Sequence, residues 1–91
     1  MGGPAGGAKT AMTRTVRVTV ALKPGVLDAQ GQAIHEGLGA LGYTGVRAVR
    51  AGRYFELEVE DGPDLDARVR AMCEGLLANT LIEDFRFEVA G

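Results

Sequence analysis

"VRAVRAGRYFELEVE", residues 46–60, decides how many strands this chain has. From Phe55 onward the pattern is plain: Phe55, Leu57 and Val59 alternate with Glu56, Glu58 and Glu60. A period of two with apolar residues on one side is the mark of a half-buried strand. Upstream of Gly52 the phase breaks, because Val46 falls on one parity and Val49 on the other. A tight turn or bulge at Ala51-Gly52-Arg53 would reconcile the two halves. The stretch therefore predicts two strands, or one sharply bent ribbon.

The elements on either side are easier to read. In "TVRVTVAL" (15–22), Val16, Val18, Val20 and Leu22 face one way, and Thr15, Arg17, Thr19 and Ala21 the other. Lys23-Pro24-Gly25 ends this strand, since proline cannot donate to a ladder and glycine permits the turn. From Asp28 to Gly42, Ile34, Leu38 and Leu41 follow helical spacing, with Leu27 leading in. Gly31, Gly37 and Gly39 weaken that helix by up to about 1 kcal/mol each relative to alanine, so packing must hold it. Gly42 and Gly45 bracket its exit. "DGPD" (61–64) is turn chemistry. Leu65, Val69, Met72 and Leu76 then predict a second helical seam, with Cys73 and Leu77 beside it. Phe85, Phe87 and Val89 alternate with Asp84, Arg86 and Glu88 as a last strand. The order β-α-β-β-α-β predicts an α+β sandwich of ferredoxin-like type, an antiparallel sheet with two helices on one face.

Composition narrows the function. Residues 1–13 form a Gly-rich lead without the apolar surface needed to offset ordering entropy, which leaves 14–91 as a single domain. "GPAGGAKT" (3–10) nearly spells a phosphate-binding loop. However, Ala8 stands where the motif has glycine, and neither a strand before nor an apolar helix after exists to aim its amides. The net charge of −2 and pI near 5.3 argue against nucleic acid as a partner. No apolar run is long enough to suggest a membrane span, and no signal segment is apparent, so a cytoplasmic location is expected. The single cysteine fits a reducing compartment. A core this small also makes oligomerisation an expectation.

No catalytic set assembles from the residues. His35 is the only histidine and lies one position off the Ile34 stripe, with no second ligand to complete a metal set. Cys73 sits at the edge of the second seam and reads as a small buried hydrophobe. Glu56, Glu58 and Glu60 share a strand face that reads as solvated, although three carboxylates suit a hard cation. Glu83 and Asp84 are neighbours in a strand, so they point to opposite faces and cannot act as a dyad. The sheet also lacks the exposed aromatic pair of an RNA-binding sheet. The residues describe a module whose surfaces meet something else.

Three stretches carry a resemblance: "VALKPGVLDAQGQAI" (20–34), "VRAVRAGRYFELEVE" (46–60) and "MCEGLLANTLIEDFRFEV" (72–89). Together they resemble the PurS family, small subunits of phosphoribosylformylglycinamidine synthase in purine biosynthesis. The likeness runs from about Thr15 to Val89, and its most specific part is Leu76-Leu77-Ala78-Asn79-Thr80 with Ile82-Glu83-Asp84. It implies a homodimer or higher oligomer that is not itself catalytic and holds no cofactor. Such a subunit bridges a large synthetase subunit, which uses ATP and Mg, and a glutaminase subunit. It also implies partner contacts at Lys23, Asp28, Gln30, Arg50, Gly52, Asn79 and Thr80. From the residues alone, Asp28 reads equally as a helix N-cap, Gly52 as a turn and Asn79 as a helix terminator.

"KPGVL" (23–27) also resembles the turn that ends the first strand of ACT-type amino-acid-sensing modules, which are dimeric and share the β-α-β-β-α-β order. "LANTLIEDF" (77–85) is not expected there. A free-standing enzyme built on Cys73 or His35 is the remaining and weakest reading.

Overall fold

The computed structural model describes residues 12–91. The phosphate-loop-like stretch at 3–10 and the lead through residue 11 lie outside the described residues. Three strands, β1 (Thr13–Leu22), β2 (Gly52–Glu60) and β3 (Glu83–Ala90), form one antiparallel sheet in the order β2-β1-β3. Helix α1 (Ala29–Ala40) follows β1, and helix α2 (Leu65–Met72) joins β2 to β3. The chain is α+β and ferredoxin-like in element order and strand direction, with three strands where the sequence predicted four.

The strand β1 lies at the centre because both of its edges are filled. Val18 sits opposite Phe55 on one side and Phe87 on the other. The alternation read from sequence sets the layers: Val16, Val18 and Val20 are fully buried, with Phe55, Leu57, Phe85, Phe87 and Val89 packed around them. Burying each valine contributes roughly 1.5–3 kcal/mol, so these three positions anchor the sheet. The opposite face is polar, where Arg17 lies between Glu56 at 3.5 Å and Glu88 at 3.7 Å.

The missing strand has a physical cause. Polar groups at the two ends of residues 46–51 are engaged by α1, its N-cap and the end of β1 instead of by a neighbouring strand. The Val46 carbonyl meets the His35 ring Nε2 at 2.8 Å, and the Ala51 N–H donates to Asp28 Oδ2 at 2.8 Å. Arg50 Nη2 donates to the Leu22 carbonyl. The off-phase valines thus belong to a strap along α1, and Gly52 is where pairing begins.

The seam of α2 also differs from the predicted one. Leu65, Val69 and Cys73 face the core, whereas Met72 is 39% and Leu76 84% exposed. The helix widens into a π-turn over Cys73–Leu77, closed by the Ala78 N–H donating to the Cys73 carbonyl at 2.9 Å. Within the wider turn Leu76 faces solvent, and Ala78 just beyond it is buried. Cys73 accordingly lies within the core instead of at its edge.

Among the described residues, α2 is the helix that packs on the apolar face of the sheet, through Leu65 and Val69. Helix α1 runs off the sheet and buries only Gly31, leaving Leu27 and Leu41 more than 70% exposed. Its end is a Schellman motif: Tyr43 N–H bonds the Leu38 carbonyl and Gly42 N–H the Gly39 carbonyl, with Gly42 at φ +98°.

Candidate functional site

The partner-contact candidates, scattered from residue 23 to residue 80, converge on one pole of the molecule. There β1 ends while β2 and β3 begin. Lys23 follows β1 in a turn with Gly25 at φ +91°, where only glycine is comfortable, and with the Val26 N–H donating to the Lys23 carbonyl. The Lys23 ammonium pairs with Asp84 at 2.8 Å, and the Lys23 backbone N–H donates to the Ile82 carbonyl at 2.8 Å.

Asp28 does two jobs there. Its Oδ1 accepts from the Gly31 N–H at 2.8 Å, capping α1, and its Oδ2 accepts from Ala51. The bond from Ala51, then that from Gly31, holds the Asp28 carboxyl below its ordinary value of 3.8. Gly31 is required: a Cβ there would stand 2.5 Å from both Asp28 Oδ2 and the Val49 carbonyl. Gly52 is equally confined, with a Cβ 2.5 Å from the Val20 carbonyl.

On the far side of the pole, Glu83 Oε1 accepts from Arg53 at 2.7 Å and from the Asn79 N–H at 2.7 Å. These bonds, the backbone one first, lower the Glu83 pKa from its ordinary 4.5. Asn79 closes the helix-to-strand junction. Its side chain accepts from Leu81 N–H and its carbonyl from Ile82 and Glu83, a tight turn that leaves Leu81 86% exposed. Gln30 and Thr80 are exposed on this pole, Gln30 on a cleft of about 220 Å³ that Asp28, Gly52, Arg53 and Glu83 also line. Arg53 and Glu83 were not among the sequence candidates. Their ion pair joins two strand starts thirty residues apart, and no local pattern announces it.

The other suspected groups stay apart. Cys73 is fully buried, and burial raises its thiol pKa. Asp84 and Glu83 take different partners on opposite faces, as strand geometry requires. Glu56 is tied to Arg17 and Tyr54, and Glu58 to Thr13. Among the described residues no group of three His, Cys, Asp or Glu is placed to hold a metal ion.

The acid limb of stability should originate at this pole. Asp28 and Glu83 both have pKa values below their unfolded ones, so their contribution is complete above the ordinary carboxylate range. It is lost as pH falls through the lowered values. Below pH 4.5, the ordinary Glu83 value, urea midpoints of the Asp28→Asn, Glu83→Gln double variant should change less than those of the parent chain. Parallel curves would place the acid sensitivity elsewhere.

The arrangement is that of a small scaffold module, in which polar side chains fix the shape of a pole instead of converging on a substrate. Comparison with known proteins gives it a family. The family model for PurS, phosphoribosylformylglycinamidine (FGAM) synthase, matches residues 15–91. The chain is 52% identical over 75 residues to the synthase subunit PurS of Bacillus subtilis, covering 81% of this chain and 89% of that one. It is 51% identical over 74 residues to the Mycobacterium leprae subunit, covering 81% and 91%. Among solved structures, B. subtilis PurS superposes with a TM-score of 0.81 at 49% identity, over 88% of this chain and all of that one. A chain of the PurLQS structure from Thermotoga maritima superposes with a TM-score of 0.76 at 26% identity, over 87% and 99%. The chain belongs to the PurS family.

Proposed function

We propose that this chain is the small, non-catalytic subunit of phosphoribosylformylglycinamidine synthase, acting in the cytoplasm as a homodimer or higher oligomer. It bridges a large ATP-dependent synthetase subunit and a glutaminase subunit, and ATP, Mg and glutamine are handled by those partners. The observation that carries the reading is the PurS match across the whole folded part of the chain. That match favours it over an amino-acid sensor, whose sequence likeness is confined to residues 23–27. The absence of a membrane-crossing helix among the described residues is compatible with the location. The contribution of such a subunit is proximity: two active sites held in register pass ammonia on before it escapes to water. The pole suits this role, because its cross-links fix the exposed Gln30, Thr80 and Leu81 on a rigid base.

Reconstitution tests it. Glutamine-dependent amidination by the two larger subunits should fall at least tenfold when this chain is omitted, while turnover with added ammonium is largely kept. Equal glutamine-dependent rates with and without the chain would overturn the proposal.

A further inference from the structure

One guanidinium on the polar face of the sheet has no acid of its own. Across that face the strand registers stack three rows: Glu56–Arg17–Glu88, then Tyr54–Thr19–Arg86, then Gly52–Ala21–Asp84 nearest the pole. In the first row Arg17 lies between two carboxylates. In the third, Asp84 is taken by Lys23 at 2.8 Å. Arg86 stands between Asp84 and Glu88 on one face of β3, and each of these acids turns to another cation. Among the described residues Arg14, Arg17, Lys23, Arg53 and Arg68 all hold a carboxylate, whereas Arg86 enters no ion pair.

Arg86 lines two clefts that meet at Thr19. One, of about 330 Å³, is shared with Arg17 and Tyr54. The other, of about 300 Å³ and nearer the pole, is shared with Pro24, Asp84 and Arg50. Arg50 is fixed there by the bond from its Nη2 to the Leu22 carbonyl, which uses one donor of its guanidinium fork. With Lys23 cancelling Asp84, Arg50 and Arg86 leave a local excess of positive charge on a chain whose net charge is −2. Thr19 and Arg86 are exposed, so the two clefts form an open trough along the sheet. A small anion would find few walls in it. Carboxylates carried on a protein surface bring their own cover, and a guanidinium desolvated by docking holds them through charge-assisted hydrogen bonds. We propose that this trough docks an acidic segment of one of the two larger synthase subunits, with one carboxylate taken by Arg86 and a neighbouring one by Arg50. The proposal rests on the bridging role above and names a surface for it.

Titrating this chain into fixed amounts of the larger subunits tests it, read as the concentration that gives half-maximal glutamine-dependent turnover. Arg86→Glu should raise that concentration at least tenfold, because the partner's carboxylates would then face a like charge. Arg14→Glu imposes the same change of charge at the far end of β1 and on its other face, and should leave the value within about twofold. Added salt should raise the value for the parent chain more steeply than for Arg86→Glu. Arg86→Lys keeps the charge and provides a second measurement should the reversal impair folding. A carbodiimide joins amines to carboxylates. In the complex built with Arg86→Lys it should form an amide link from position 86 to a larger subunit, located by mass spectrometry of the digested product. Lys9 and Lys23 are the only other lysines, so the background is small. An Arg86→Glu chain that folds and titrates as the parent does would overturn the docking and leave the bridging role standing. A link from position 86 to a second copy of this chain, or no link to a larger subunit in an active complex, would overturn it as well. A parent chain whose omission changes nothing would remove both.

Discussion

Gly31→Ala should lower the unfolding free energy by about 1–3 kcal/mol, the usual cost of forcing atoms into a filled site. Alanine is ordinarily the better helix residue, by up to about 1 kcal/mol. At Gly31 that preference is outweighed, because the new methyl would stand 2.5 Å from a carboxylate oxygen and 2.5 Å from a backbone carbonyl. The Val49 carbonyl belongs to the strap and cannot swing aside as the end of a flexible side chain could. Gly39 on the same helix is the control: nothing lies within 4 Å of its Cβ position, so Gly39→Ala should be neutral to stabilising. Urea midpoints of the two variants should move in opposite directions. A common direction would mean that α1 begins clear of the 46–51 segment, and the clamp would have to be abandoned.

Cys73→Ser should cost a similar amount, about 1–3 kcal/mol, from placing a hydroxyl where the neighbours are Val69, Ala78 and the sheet. The thiol is fully buried and behaves as a small hydrophobe. Cys73→Ala keeps the site apolar, so its loss should come from the small void alone. In reconstituted synthase, both variants should support glutamine-dependent turnover at low temperature, where the weakened fold is still populated. Loss of turnover in a folded Cys73→Ser chain would contradict a purely structural role for the thiol.

The residues that were legible in sequence are those whose environment is set by near neighbours. The strict alternation in β1 and in residues 55–59 needs only a half-covered sheet, and the burial of Val16, Val18 and Val20 agrees with it. Asp28 as an N-cap and Gly42 at the helix exit are likewise local signals. The features that stayed hidden depend on distant partners. The strap at 46–51 has valines, arginines and spacing that suit a strand, but its polar groups are claimed by Asp28, His35 and Leu22. The π-turn has no sequence mark; Met72 and Leu76 fit a helical seam as well as Cys73 does, yet the buried line runs through Leu65, Val69 and Cys73. The pole carries no local chemical signature. Its members span more than fifty residues, and Arg53 and Glu83, which lock it, look like ordinary strand charges.

The placement of β1 at the centre of the sheet has a consequence for how the chain is made. The first strand pairs with the third, Thr15 opposite Ala90 and Leu22 opposite Glu83. During synthesis the valine-rich segment emerges early, and one of its two edges stays open until residues 83–90 have also left the ribosome. Loop closure over that span makes folding slower than for chains with local contacts. The core therefore closes late, and the eight residues of β3 act as a clasp on the ten of β1.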